Sequence, residues 1–434
     1  MRLKLWPLAA WSLMACALVV SLAATDGPIE LGVQGRGNAT PTIAADGSFV
    51  AVTWGATQAS GVTDVFAAVS RDGGRRFAAP VRVNDVDGDA RLNGEQPPHV
   101  ALVPRAGHGP AIVVVWTTKG TNGTTLLQSR SEDGGKSFSV ATLVPGTDAA
   151  GNRGWEAIAV ERGGRVDAVW LDHRELARDS SLAMSHHDHS GADKPDGVAM
   201  AQQSKLYFAP LDGSATPHAV TGGVCYCCKT ALVGGAGGSI YAAWRHVYPG
   251  NLRDMAFSRS TDGGRTFSAP VRVSEDKWML EGCPDDGPSI AVDSRQRIHI
   301  VWPTLVAGAG AEPTIALFYA MSGDGEHFTP RERVPTEGMP HHPRIVVSGQ
   351  GTLTLAWDES ANGSRRIAVA RGSVADSGYP RLQREEVTTR SAGIYPALAV
   401  AGDAVVVAWS SGPSASSSVQ VARVGASPAM SAGR

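Results

Sequence analysis

Three cysteines crowd into the stretch VCYCCKT as Cys225, Cys227 and Cys228, and a fourth, Cys283, follows in GCPDDG. Thiolates bind soft metals, and in an oxidising compartment they pair as disulfides. With His246, His341 and His342 they would offer sulfur and imidazole together, a donor set that suits zinc or copper, copper(I) favouring sulfur. The spacing Cys-x-Cys-Cys matches no zinc-finger pattern. The competing expectation is structural: Cys283 bridges Cys225, Cys227 or Cys228, leaving two cysteines one or three residues apart that close a strained small ring or stay free. A second constellation combines Arg245, Arg253 and Arg344 with Asp285 and Tyr395. The planar fork of arginine matches a carboxylate with two parallel hydrogen bonds, although ordinary salt bridges also account for such residues. A third, the run His186, His187, Asp188 and His189, reads either as a solvated loop or as a ligand set.

These groups are far apart in the chain, so a repeating scaffold must gather them. The repeat is a hairpin, two short apolar strands joined by a Gly-rich or polar turn and closed by tryptophan. It recurs seven times, ending at Trp54, Trp116, Trp170, Trp244, Trp302, Trp357 and Trp409. Two more strands follow each hairpin, as in DVFAAVS and VRVN after the first. Four antiparallel strands per unit, repeated around an axis, describe an all-β, seven-bladed β-propeller. The last unit lacks a fourth strand. The segment PIELGVQG (Pro28 to Gly35), which has no partner nearby, is expected to supply it and so close the ring without an open sheet edge.

The turn between third and fourth strands carries a signature: SRDGGRRF, SEDGGKSF and STDGGRTF, with a shortened SGDGEHF. Its positions are Ser70, Asp72, Gly74 and Phe77; Ser131, Asp133, Gly135 and Phe138; and Ser260, Asp262, Gly264 and Phe267. This pattern resembles the Asp-box, or BNR, repeat of the sialidase superfamily. The aspartate is expected to hold the turn by local hydrogen bonds, the glycines to take positive φ and the phenylalanine to pack between sheets. The resemblance implies a sialidase-like propeller with its boxes away from the site. It also implies an alternative activity, an exo-glycosidase cleaving an acidic sugar, with Tyr395 where the family's nucleophilic tyrosine stands. The match is partial: Ala39-Thr40-Pro41 replaces the family's arginine-bearing entry motif, and Ser410 follows the last tryptophan where a glutamate is common. Cys-x-Cys-Cys-Lys-Thr before one hairpin, Gly282-Cys283-Pro284 before the next and NLRD between them resemble a group of exported bacterial Asp-box propellers.

Strand order places the loops entering each hairpin and those following each tryptophan on one face, opposite the Asp-boxes. Aligning the repeats on the proline that opens five first strands puts Thr40, Pro97, Trp155, Cys228, Gly287, His342 and Tyr395 in one ring at the axis mouth. The loops after the tryptophans add Asp172, His173, Arg174, Glu175, Asp358 and Glu359 to that face. The loop entering the fifth hairpin carries Asp286 as well, and the expected working surface is Cys225, Cys227, Cys228, Cys283, His246, His341, His342, Arg245, Arg253, Asp285 and Tyr395.

Residues 1–24 read as an export signal, with Arg2 and Lys4 before an apolar run and Ser21-Leu22-Ala23 as cleavage site, so a periplasmic or extracellular location is expected. Cys16 resembles a lipoprotein site, which would supply a lipid anchor. Residues 25–424 are expected to form the single propeller domain and 425–434 a flexible tail. No later apolar run is long enough to span a membrane as a helix. A net charge of -2 gives no electrostatic footprint for nucleic acid. The reading is of a ligand-binding propeller for a small molecule or glycan, its mouth holding a transition metal or braced by disulfides. The alternatives are the glycosidase and a scaffold for a protein partner.

Overall fold

The computed structural model describes residues 27–176, 197–280, 284, 286–306, 312–361, 363–374, 379–385 and 392–425. Seven four-stranded antiparallel sheets succeed one another, and six are consecutive meanders. Blade one, for example, runs Gly37–Asp46, Phe49–Thr57, Thr63–Ser70 and Val81–Arg82. Blade seven is the exception that closes the ring: Ile29–Leu31 pairs antiparallel with Ser418–Val424, with Glu30 opposite Gln420. Its outermost strand thus comes from the other end of the chain, as expected, and the apolar edge of Ser418–Val424 is covered.

The first strand of each blade touches the first strand of the next, around to Ile394–Ala401 against Gly37–Asp46, so these seven strands line the axis. Between neighbouring blades lies an apolar layer built from the alternating faces of the inner strands. All seven hairpin-closing tryptophans are buried there. Their polar edge still needs an acceptor. Trp54, Trp170, Trp302 and Trp357 donate to Asn38, Asp172, Asp276 and Glu359 at 2.9, 3.0, 2.7 and 3.1 Å, and Trp244 meets His246 Nδ1 at 3.3 Å.

The Asp-box turns hold themselves together. Asp133 Oδ1 accepts the backbone N–H groups of Lys136 and Ser137 at 2.9 and 3.0 Å, and Oδ2 accepts the Ser137 hydroxyl at 2.6 Å. Ser131 Oγ donates to Asp133 and accepts the N–H of Gly135, whose φ of 84° an L side chain rarely adopts. Phe77, Phe138, Phe267 and Phe328 pack against the inter-blade layers. The boxes at Asp72 and Asp262 repeat this bonding.

One departure from all-β structure is a short helix, Gly197–Gln203, ahead of the third strand of blade three. It packs Ala201 and Val198 onto the Cys225–Cys228 loop, Trp155 and Val247. The histidine run at 186–189 lies outside the described residues, as do Cys283 and Asp285.

Candidate functional site

At the axis mouth the first strands of blades one, three, six and seven share a β-bulge, with register shifts between Ala39 and Thr42, Gly154 and Ala157, His341 and Arg344, and Ile394 and Ala397. At each bulge one non-glycine residue has positive φ: Thr40 at 56°, Trp155 at 53°, His342 at 51° and Tyr395 at 55°. All four belong to the ring deduced from the sequence. A bulge re-aims its side chain, and the left-handed backbone costs on the order of 1–3 kcal/mol per residue, which the surrounding sheet must offset.

The bulge in blade six presents His342. Asp358, fully buried on the next strand, accepts His342 Nδ1 at 2.6 Å, the Tyr395 backbone N–H at 3.1 Å and a guanidinium N–H of Arg365. With Nδ1–H committed to Asp358, the imidazole turns Nε2 as an acceptor toward Glu95 Oε1, 3.5 Å away. The backbone N–H of His342 donates to Asp286 Oδ2 at 3.0 Å, and His341 Nδ1 lies 3.7 Å from the same oxygen. Lys229 Nζ stands 3.6 Å from Asp286 Oδ1. The Tyr395 ring leans on His342, with centroids 4.4 Å apart, and Arg344 reaches the Pro396 carbonyl at 3.2 Å.

Glu95 arrives from the loop between blades one and two. Asn93 Oδ1 accepts the N–H groups of Glu95 and Gln96 at 2.9 and 3.0 Å, a local turn that swings Glu95 inward. Gly94 lets it pass Tyr395, since a Cβ there would lie 2.3 Å from the tyrosine Oη. The Lys229 N–H meets Glu95 Oε2 at 3.4 Å.

Glu95, Lys229 and Asp286 are all buried, and Glu95 Oε1, Lys229 Nζ and Asp286 Oδ1 make no hydrogen bond. Their electrostatics diverge. Burial dominates at Glu95 and, with Asp286 adding repulsion, raises its pKa against the pull of Lys229 and His342. Burial opposes ionisation of Asp286 too, but Lys229, His341 and His342 outweigh it and hold this carboxyl below the usual range. Two carboxyl groups whose pKa values are pushed in opposite directions thus face one mouth. Burial, with the nearby Arg344 and Lys229, depresses His99 to about 3. Deeper on the same ring, burial pushes Glu156 up to about 7; it accepts the Thr117 hydroxyl at 3.2 Å.

The cysteines form a second, adjoining cluster. Cys225, Cys227 and Cys228 place their sulfurs within 4.8 Å of one another, but Cys227 is disulfide-bonded, leaving Cys225 and Cys228 as free, buried thiols. Among the described residues no imidazole joins this cluster. His246 instead packs edge-on to Tyr248 and Trp244, and His342 serves the carboxyl group cluster. Arg245 and Arg253 surround Cys225 rather than open onto the mouth: Arg245 donates to the backbone oxygens of Arg253, Asp286 and Pro303, and Arg253 Nη1 donates to Cys225 Sγ at 3.2 Å. Asp172 and Glu359 are bound into ion pairs with Arg153 and Arg174, and with Arg366 and Arg384.

Glu95, Lys229 and Glu156 escaped the sequence reading. Glu95 precedes Pro97 in a loop entering a hairpin, the same class of loop that supplied the cysteines and histidines, and its Asn-Gly turn was a usable signal. Glu156 follows the ring position Trp155 and was hidden by its apolar neighbours.

No family model matches the chain, and no curated protein matches it. Solved structures do. An α-L-arabinofuranosidase of Fusarium graminearum, in complex with arabinobiose, matches with a TM-score of 0.51 at 12% identity, over 92% of this chain and 98% of that one. An ulvan lyase bound to a GlcA(1-4)Rha3S unit matches with a TM-score of 0.55 at 11% identity, over 92% and 96%. The fold is a seven-bladed β-propeller. At these identities the likeness is one of scaffold, and scaffold does not decide chemistry.

Proposed function

We propose that the protein is a carbohydrate-active propeller that takes an acidic sugar at its axial mouth and cleaves a glycosidic bond there, with Glu95 as proton donor and Asp286 as its ionised partner. The observation that carries this reading is the pair of buried carboxyl groups gathered around one lysine and one histidine, Glu95 with its pKa raised and Asp286 with its pKa lowered. Glycoside hydrolysis needs that division: an acid for the leaving oxygen and a carboxylate for the developing positive charge or the attacking water. Asp358, by accepting from Nδ1 of His342, fixes the imidazole so that its Nε2 faces Glu95 Oε1 and orients that acid. Lys229 and Arg344 offer positive charge to a sugar carboxylate, and Lys229 Nζ, which makes no hydrogen bond, can donate to its oxygens, while Asp286 Oδ1 can accept from a sugar hydroxyl.

A groove of about 530 Å³ beside the mouth, lined by Arg91, Asn93, Gln96, Thr117 and Thr124 among others, would take the next sugar units. The two scaffold neighbours described above also act on or hold glycans. Tyr395, against His342 at the same mouth, favours a second form of the reading in which it is the nucleophile.

The test is a panel of fluorogenic glycosides, α-sialoside, β-glucuronide and α-arabinofuranoside, assayed with wild type, Glu95→Gln, Asp286→Asn and Tyr395→Phe. Turnover of an acidic glycoside that falls at least about 100-fold in Glu95→Gln, with unchanged thermal unfolding, is expected. A comparable loss in Tyr395→Phe with Asp286→Asn active would select the tyrosine nucleophile. Turnover indifferent to residue 95, or none on any substrate, would contradict the proposal.

A further inference from the structure

We infer that Cys225 and Cys228 form a redox-active dithiol that reduces small hydroperoxides, with Cys225 as the attacking thiolate and Cys228 as the resolving thiol. This inference is independent of the glycan reading.

Its basis is the pairing of a buried sulfur with buried, otherwise uncompensated positive charge. Arg245 and Arg253 are nearly or fully buried, and neither makes an ion pair with a carboxylate among the described residues. A guanidinium cannot shed its proton, so it requires an anion or a full set of acceptors. Arg245 satisfies itself on three backbone carbonyls, whereas Arg253 has Nη2 without a partner and directs Nη1 at Cys225 Sγ, 3.2 Å away. Cys225 as a thiolate supplies the missing charge.

The second thiol completes the device. Cys228 donates to Cys225 Sγ at 3.4 Å, and the two residues are the ends of a Cys-x-x-Cys segment, Cys225-Tyr226-Cys227-Cys228. That hydrogen bond, ahead of opposing burial, lowers Cys225 to about 6, assisted by Arg253 and Arg245. Cys228 goes the other way, raised by burial and by the anionic Cys225, with Arg245 opposing. One ionised and one protonated thiol in contact is the division of labour that dithiol chemistry requires. Cys227, whose Sγ is 3.9 Å from Cys225, is already in a disulfide and is not available as a thiol.

The helix Gly197–Gln203 and Trp155 cover this cluster, and both free sulfurs are within a few per cent of full burial. A protein thiol or a bulky disulfide cannot reach them, so the substrate is a small hydroperoxide. The Cys225 thiolate attacks the outer peroxide oxygen, the O–O bond breaks, and the alkoxide or hydroxide takes a proton from solvent and leaves. Cys225 is then a sulfenic acid. Cys228, surrendering its proton to the departing hydroxide, attacks that sulfur and releases water, so that two thiols and one peroxide become one disulfide, an alcohol or water, and a water.

The experiment uses the full chain purified without reductant, with Cys225 and Cys228 confirmed as thiols by a count after unfolding, and given a slight excess of hydrogen peroxide at a series of pH values. Peptide mapping is expected to show a Cys225–Cys228 crosslink with the mass lower by two hydrogens. The rate is expected to reach half its plateau near pH 6, following Cys225 ionisation. Cys228→Ser should stop at a sulfenic acid that a dimedone probe traps at residue 225, and Arg253→Met should slow the reaction at pH 6 while Arg253→Lys restores most of it. Two free thiols after peroxide treatment of wild type, or a crosslink joining Cys225 to Cys227, would overturn the assignment, whatever the variants do.

Discussion

Glu95 and Asp286 show how position sets the behaviour of one functional group. Both are buried carboxyl groups beside Lys229 and His342, yet Asp286 accepts the His342 N–H at 3.0 Å while Glu95 accepts the Lys229 N–H only at 3.4 Å. Glu156 extends the same physics to a measurable stability effect. Its pKa is raised from 4.5 to about 7 by burial, so the folded state holds a proton that the unfolded chain releases. The sign follows: its stabilisation is complete below about pH 4.5 and is lost as pH rises to about 7, a change of roughly 3 kcal/mol. Glu156→Gln, which cannot ionise, is therefore expected to gain about that much on wild type between pH 4 and pH 8 in urea unfolding. An equal difference at both pH values would show that Glu156 titrates normally. At this scale the sequence was least informative. Arg245 and Arg253 read as candidate sugar ligands, but burial around Cys225 was decided by strands and a helix that no local pattern announces.

The bulged first strand is the element that turns a propeller into a site. It gives His342 and Tyr395 φ values of 51° and 55° and so aims them along the axis, where an unbroken strand would have sent alternate side chains into the sheet faces. Thr40, at 56°, occupies the same position in blade one without chemistry of its own. A β-branched residue is strained there and glycine is not, so Thr40→Gly is expected to stay within about 1 kcal/mol of wild type. Thr42→Gly, two residues on in the resumed ladder, removes hydrogen bonds to the Pro98 carbonyl and Thr53 and should cost about 2 kcal/mol. Chemical denaturation of the two variants decides it, and the reverse order would remove the strain argument. The strands, the tryptophans and the Asp-box turns were all readable from alternation and turn chemistry, because these are local. The bulges were not, although the alignment on proline had found the positions they occupy.

Sevenfold repetition brings loops from blades one, four, five, six and seven to a single rim. Glu95, Lys229, Asp286, His342 and Tyr395 span three hundred residues of chain and meet within hydrogen-bonding or ring contact of one another or of a shared neighbour. The pairing of Ile29–Leu31 with Ser418–Val424 closes the ring. This closure was legible because an unpartnered strand at one end matched a missing strand at the other. The separation of the working face into a carboxyl group cluster and a thiol cluster was not, since both draw on the same loops and differ only in which side chains the packing turns inward.

The account rests on the axial mouth being where the sugar sits. Its most direct test is a crystal structure of Glu95→Gln, which keeps the shape of the mouth, soaked with a glucuronate-bearing and a sialylated oligosaccharide. The account predicts a sugar ring between residue 95 and Asp286, its carboxylate against Lys229 or Arg344. Sugar density confined to other surfaces, or an axial mouth without sugar at saturating concentrations of both, would contradict it.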